Sequence, residues 1–244
     1  MLNFKSRFSA KSCKKGFTLA ETLITLVIIG IIAAITVPTL IIGHQKEEAL
    51  DKIKKAYSTL QQTKNQAIME NGQPKTWTMA NGNTWENARD FSETYIVPYL
   101  SVIYRCPLNS NETRCRYKIY GLNKQQYSFS ATNYKFYLAD GTLLYVFAQS
   151  DNNNKGVQIL FDINGSKKPN IVGRDVFKIE YWLISNKSTR QSQVNNITPA
   201  YAGYDRATLL GTGNNEYCNK QKIGLACLAV IMKDSWTFQP DYPW

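Results

Sequence analysis

Residues 15–42 read KGFTLAETLITLVIIGIIAAITVPTLII. A basic residue and a glycine open the stretch, and Phe17 begins about two dozen mostly apolar residues with a single carboxylate, Glu21, near their start. A bilayer's hydrocarbon core is about 30 Å thick and takes about 20 such residues as a helix. The run is therefore long enough to span a membrane. Glu21 is its oddity, because a charge in hydrocarbon costs about 2.5–3.5 kcal/mol on insertion scales and usually marks a functional position. A secretory signal peptide has an apolar part of about 7–15 residues with a cleavage site after it. Here the run is too long, and the small pair Ala33-Ala34 lies inside it. A lipoprotein signal fails because Cys13 precedes the run. A plain signal anchor fits the length and the flanking charges but leaves Glu21 unexplained.

The heptapeptide Lys15-Gly16-Phe17-Thr18-Leu19-Ala20-Glu21 resembles the prepilin peptidase site of type IV pilins and type II secretion pseudopilins. The resemblance implies cleavage after Gly16, N-methylation of the new N-terminal residue Phe17, and a need for Glu21 in methylation and assembly. Gly30 and Pro38 match family positions that weaken the helix. The close match covers only about 30 residues of the 244, but it is specific. Physics agrees with it. Removing a basic leader exposes an amine beside an apolar helix, and Glu21 could neutralise such an amine, its own or a neighbour's, in a filament core. A buried ion pair of this kind suits the fixing of register better than the gain of stability.

The formal charge of the chain is +11. Lys5, Arg7, Lys11, Lys14 and Lys15 sit in residues 1–16 with no acid among them, and their removal leaves +6. The leader's charge follows the rule that keeps positive flanks cytoplasmic, which places the rest outside the cytoplasm. Cys13 leaves with the leader, and Cys106, Cys115, Cys218 and Cys227 remain. An even count in an exported domain favours disulfides. Four cysteines allow three pairings, and the shared spacing of nine favours Cys106–Cys115 and Cys218–Cys227. Zinc would want closer spacing and more than His44, which lies next to the membrane span.

From Gly43 the chain turns charged without ceasing to be helical. Ala49, Leu50, Ile53, Ala56, Tyr57, Leu60, Ala67 and Ile68 recur at helical spacing, and Asn71-Gly72 before Pro74 ends the pattern. A helix from Phe17 to about Glu70 would be about 80 Å long, and Pro38 should bend or loosen it. The expected organisation is a leader at 1–16, a membrane and assembly segment at 17–42, an amphipathic segment at 43–71 and a globular head at 72–244. Thr84 is placed to cap a second helix carrying Trp85, Ala88, Phe91 and Tyr95. Strand signals follow. Tyr134–Ala139 and Thr142–Ala148 flank Asp140-Gly141 as a hairpin; Val157–Ile163 and Val176–Ser185 continue the pattern, and Arg116–Tyr120 and Tyr127–Ser130 are candidate edges. The expected fold is α+β: an antiparallel meander of about four strands packed on the long helix. Beyond Ser185 the pattern fades through about Asn215, which predicts a surface excursion. Leu225–Met232 is a candidate helix, with Trp236, Tyr242 and Trp244 as lid residues.

Asp162, Asn164, Asn170 and Asp175 are oxygen donors of the kind calcium takes in sets of six to eight, and some pseudopilins bind calcium beside their sheet. The other reading is that Asn164-Gly165 and Pro169-Asn170 build turns, with Gly173 allowing close chain approach. No G-x-S-x-G, Cys/His pairing or phosphate loop is present, so no enzyme and no resident cofactor other than calcium is expected. The expected partners are prepilin peptidase, other pilin or pseudopilin subunits, the cytoplasmic membrane and an assembly platform; nucleic acid is not among them. A structural subunit, polymerised into a pilus or pseudopilus, is the leading reading. A chain starting at Phe17 has 228 residues, longer than typical major subunits, which tilts the reading toward a minor one. The alternatives are a pilin-like binding module (adhesin or DNA-uptake pilin) and a plain membrane-anchored exported domain.

Overall fold

The computed structural model describes residues 16, 18–128, 132–187 and 193–244. Helix α1 runs from Leu19 to Asn71 and is assigned through Pro38. Asn71-Gly72 ends it as the sequence implies: Gly72 takes φ +75°, and its N–H reaches Ile68 O at 3.0 Å, a left-handed helix terminus that glycine tolerates. The chain divides into two compact units, residues 1–45 and 46–244. The amphipathic part of α1 thus belongs to the head unit.

That membership follows from a stripe of small and large apolar residues. Ala49, Ile53, Ala56, Leu60, Thr63 and Ala67 are the buried positions of α1, spaced alternately four and three apart on one helical face. The alanines let the helix approach the sheet, and Ile53 and Leu60 fill the space between. Helix α2, Trp85–Tyr95, joins the same core through Ala88, Phe91 and Tyr95. Thr84 caps it by accepting from the Asn87 N–H. Trp77 stacks on Tyr95 with centroids 4.3 Å apart and donates its indole N–H to Gly72 O at 3.0 Å, which satisfies its polar edge inside the core. These aromatics are core.

The sheet is larger than the expected meander. It contains β1 (Val102–Cys106), β4 (Asn133–Leu138), β5 (Leu143–Ser150), β6 (Asn154–Asp162), β7 (Val176–Ser185) and β8 (Ile197–Pro199), in the order β1-β4-β5-β6-β7-β8, antiparallel throughout. The Asp140-Gly141 hairpin joins β4 to β5, with Gly141 at φ +88° and Leu138 N–H bonded to Thr142 O. Strand β1 escapes sequence reading because its short alternation ends in a cysteine loop. The two candidate edge segments pair with each other instead of with the sheet: β2 (Ile119–Tyr120) and β3 (Gln126–Tyr127) form a separate ribbon. Residues 129–130 of that expectation lie outside the described residues.

One face of the sheet, through Phe136, Leu144, Val146, Ile159, Phe161, Phe177 and Ile179, packs on the core that contains α1 and α2. The other carries Leu143, Tyr145, Leu160 and Val176 against Ile119, Val172 and Leu225. Burial on both faces explains why β7 is rich in β-branched and aromatic residues.

The segment after Ser185 departs from a surface excursion at residues 193–200, where the chain turns inward, whereas residues 201–215 are exposed or half-buried except Leu209. Ile197 is buried in β8, and its carbonyl accepts from Tyr57 Oη (3.0 Å) and Gln61 Nε2 (2.8 Å) of α1. Helix α3 (Arg206–Leu210) buries Leu209. The segment also covers a buried pair on β7, Lys178 Nζ and Glu180 Oε1 at 3.4 Å, to which Trp182 Nε1 donates at 3.1 Å. Helix α4 (Cys227–Lys233) is buried from Cys227 to Ile231.

Candidate functional site

The site begins at the helix start. Thr18 and Glu21 form a reciprocal cap: the Thr18 N–H donates to Glu21 Oε2 at 2.8 Å, and the Glu21 N–H donates to Thr18 Oγ1 at 3.2 Å. This is the Thr-x-x-Glu capping box, legible in the sequence and not drawn from it. It turns the carboxylate toward the backbone at the start of the helix. Gly16 is exposed; Phe17 and residues 1–15 lie outside the described residues.

From Leu19 to Ile42 every large apolar side chain of α1 is exposed within its own unit, Leu40 at 71 % and Ile35 at 68 % among them. The most apolar window has a mean hydropathy of 2.6 with none of its residues buried. Each Å² of such surface costs about 25 cal/mol in water, so this half needs lipid or other helices around it. Its hydroxyls suit the same surroundings. Thr22, Thr25, Thr36 and Thr39 bond back to the carbonyls of Leu19, Thr22, Ile32 and Thr36 at 2.8–2.9 Å, so no hydroxyl is left unsatisfied in an apolar medium.

In the head, the structure brings together Asp162, Asn164, Asn170 and Asp175, but as partners of one another and of their own loop. Asp162 Oδ2 accepts from Tyr117 Oη at 2.7 Å, and Oδ1 accepts from the Asn164 N–H at 3.1 Å. Asp175 accepts from the N–H groups of Asn170 (2.7 Å) and Ile171 (2.6 Å) and from Asn164 Nδ2 (3.3 Å). With its amide turned to suit its neighbours, Asn170 donates to Gly165 O and Lys167 O. Every carboxylate oxygen of the set accepts from an N–H or O–H donor, while Asn164 Oδ1 is buried without a hydrogen-bond partner. Burial raises the Asp162 pKa well above the usual carboxylate range, and the nearby charge of Asp175 pushes it further. Asp175 itself is raised, chiefly by burial. Among the described residues no group of three or more His, Cys, Asp or Glu is placed to hold a metal.

Two disulfides close the head, Cys106–Cys115 and Cys218–Cys227. The first joins the end of β1 to its following loop. The second lies against Gly173, where a Cβ would stand 2.8 Å from Cys227 Sγ. Tyr242 is buried and its hydroxyl donates to Gly173 O, while Trp236 packs on Tyr57 of α1 with centroids 5.5 Å apart.

A long apolar helix with a Thr-Glu cap at its start and an α+β head is a pilin-like architecture. The prokaryotic N-terminal methylation motif, the signature of type IV pilins and pseudopilins, matches residues 11–37. Proteins carrying it are structural subunits that are processed and assembled. The chain belongs to a family described as a family of unknown function (DUF6613), whose model matches residues 39–244. No curated protein and no solved structure matches the chain.

Proposed function

We propose that the chain is a minor subunit of a type IV pilus or a type II secretion pseudopilus. It would be made with a leader at residues 1–16, held in the cytoplasmic membrane with its head outside, cut between Gly16 and Phe17 by prepilin peptidase, and methylated on Phe17. The observation that carries this reading is the bare apolar surface of residues 19–42, most of it inside the matched methylation motif at residues 11–37. Assembly would exchange lipid for neighbouring helices around that surface. Both media are apolar, so packing and polar registration decide the outcome in place of hydrophobic gain.

Glu21 supplies the registration. Its carboxylate already holds the Thr18 N–H, one residue from the amine that cleavage would create, and it is thereby positioned to pair with an amine at the helix start. Mass spectrometry of the N-terminal peptide from native membranes or sheared filaments tests the processing. A chain beginning at methylated Phe17 is the expected result. Retention of residues 1–16 in cells with an active prepilin peptidase would reduce the protein to a membrane-anchored domain. Glu21→Ala is expected to leave head melting unchanged and to stop incorporation into filaments, and normal incorporation would refute the role of the carboxylate.

A further inference from the structure

Five of the arginines in the described head are partnered: Arg89 by Asp90, Arg105 by Glu93, Arg114 by Glu112, Arg116 by the Asn111 side chain, and Arg206 by Asp234 and Asp241. Arg174 is different. Among the described residues its guanidinium has no hydrogen-bond acceptor and no carboxylate partner, and its Nε is buried without one. It lies over the ring of Trp244 at 5.0 Å, whose own Nε1 is also buried without an acceptor. Asp175, the next residue, is occupied by the N–H groups of Asn170 and Ile171. A partly buried guanidinium facing no acceptor is costly to keep, and its planar fork matches phosphate.

Arg174 and Trp244 line an open cleft of about 600 Å³ together with Lys124, Lys220 and Tyr120. Among the described residues three cations line it, and no aspartate or glutamate does. A fourth cation ties it to the membrane. Lys46 Nζ lies 5.9 Å from the centroid of the same Trp244 ring, and Lys46 is four residues beyond Ile42, the end of the apolar run. At 1.5 Å per residue, those four residues carry the helix about 6 Å past the hydrocarbon boundary, which is the depth of the headgroup layer. Glu47 and Glu48 follow Lys46, and Glu48 is paired with Lys52 at 2.7 Å.

We propose that this cleft holds the phosphate of an anionic phospholipid headgroup, from the leaflet on the head's side, while the subunit waits in the membrane. The proposal rests on the membrane-anchored reading of residues 19–42. The guanidinium fork takes the phosphate oxygens, Lys124 and Lys220 add point charges, and Trp244 sits at the interface where its amphipathic ring is favoured. Extraction of the helix into a filament has to break this contact.

The test uses the full-length chain in detergent micelles, titrated with short-chain phosphatidylglycerol, short-chain phosphatidylcholine or inorganic phosphate, with bound lipid counted by native mass spectrometry. One saturable phosphatidylglycerol site is expected, with phosphatidylcholine and equimolar inorganic phosphate at least about tenfold weaker. Arg174→Ala and Lys220→Ala are each expected to weaken phosphatidylglycerol by about tenfold or more, the loss of a charge-assisted contact. Lys220 is exposed, so its variant carries the test even if Arg174→Ala disturbs folding. Equal binding of both lipids, or unchanged binding by Lys220→Ala and a folded Arg174→Ala, would overturn the proposal. Displacement by equimolar inorganic phosphate would overturn the lipid source. A chain that stays in solution without detergent would instead overturn the membrane reading itself.

Discussion

Replacing Ile53 by alanine, beside the same change at Ile35, separates the two halves of α1. Ile53 is fully buried between the helix and the sheet, while Ile35 is 68 % exposed. The change at Ile53 removes about three methylene equivalents at about 0.8 kcal/mol each, or about 2.4 kcal/mol of transfer energy. An uncollapsed cavity adds up to about 2 kcal/mol at about 24 cal/mol per Å³. The expected loss is therefore about 2.5–4.5 kcal/mol. For a chain of this size, each kcal/mol shifts the melting temperature by about 2–4 °C, so a drop of about 5 °C or more is expected. Melting of the full chain in detergent, followed by near-UV circular dichroism, reads the head directly through its buried tryptophans. Ile35→Ala should leave the melt within about 1 °C, because the side chain faces lipid in folded and unfolded head alike. An Ile53→Ala melt within 2 °C of the wild type, with the threshold set by the lower bound of about 2 °C per kcal/mol, would refute the docking of α1 on the sheet. So would an equal drop in Ile35→Ala.

Three further outcomes follow from the head. Gly173 and Gly141 share a left-handed backbone, at φ +85° and +88°, but only Gly173 has a neighbour within reach of a Cβ. Both alanine variants bear the left-handed strain of about 1–2 kcal/mol, and Gly173→Ala should melt lower by a further amount worth about 1–3 kcal/mol; equal melts would show that the close approach to Cys227 does not matter. Each disulfide spans nine residues, so replacing either pair by serines forfeits about 2.7 kcal/mol of loop entropy. The fully buried Cys218–Cys227 pair should cost more than Cys106–Cys115, and the reverse order in thermal melts would contradict this. Asp162 and Asp175 are raised above the unfolded aspartate value near 3.9, so the folded head retains protons that the unfolded chain has released. Their stabilisation is complete below that pH and is lost as pH rises through the folded values. Asp162→Asn removes one titration and the repulsion with Asp175, so the difference in melting temperature, variant minus wild type, should grow from pH 4 toward pH 7; a constant difference would refute the coupling.

What the sequence made legible was wherever one local pattern decides the outcome. The apolar run, the alternating spacing from Ala49 to Ala67, the Thr84 cap, the Asp140-Gly141 hairpin and the β7 run all read correctly because each is set by periodicity or turn chemistry within a few residues. Strand β8 was not legible. Ile197-Thr198-Pro199 is too short to show a period, and it is held by Tyr57 and Gln61, residues about 140 positions away in sequence. The four oxygen-bearing residues around Asp162 were located, but composition alone cannot say whether oxygens face an ion or their own backbone; in the structure each carboxylate oxygen accepts from an N–H or O–H donor of the head. Arg174 was equally silent, since an arginine announces itself only by the partner it lacks. The same limit explains α1. Its sequence is continuous, yet a helix has no preference of its own for water, lipid or a protein core, and its side chains decide residue by residue. Residues 19–42 expose branched aliphatics all round and demand an apolar medium, whereas beyond residue 46 only one stripe is apolar and demands a sheet. Just past that boundary in sequence, Lys46 lies over the ring of Trp244, so the first residues of the amphipathic half already answer to the head and not to an apolar medium.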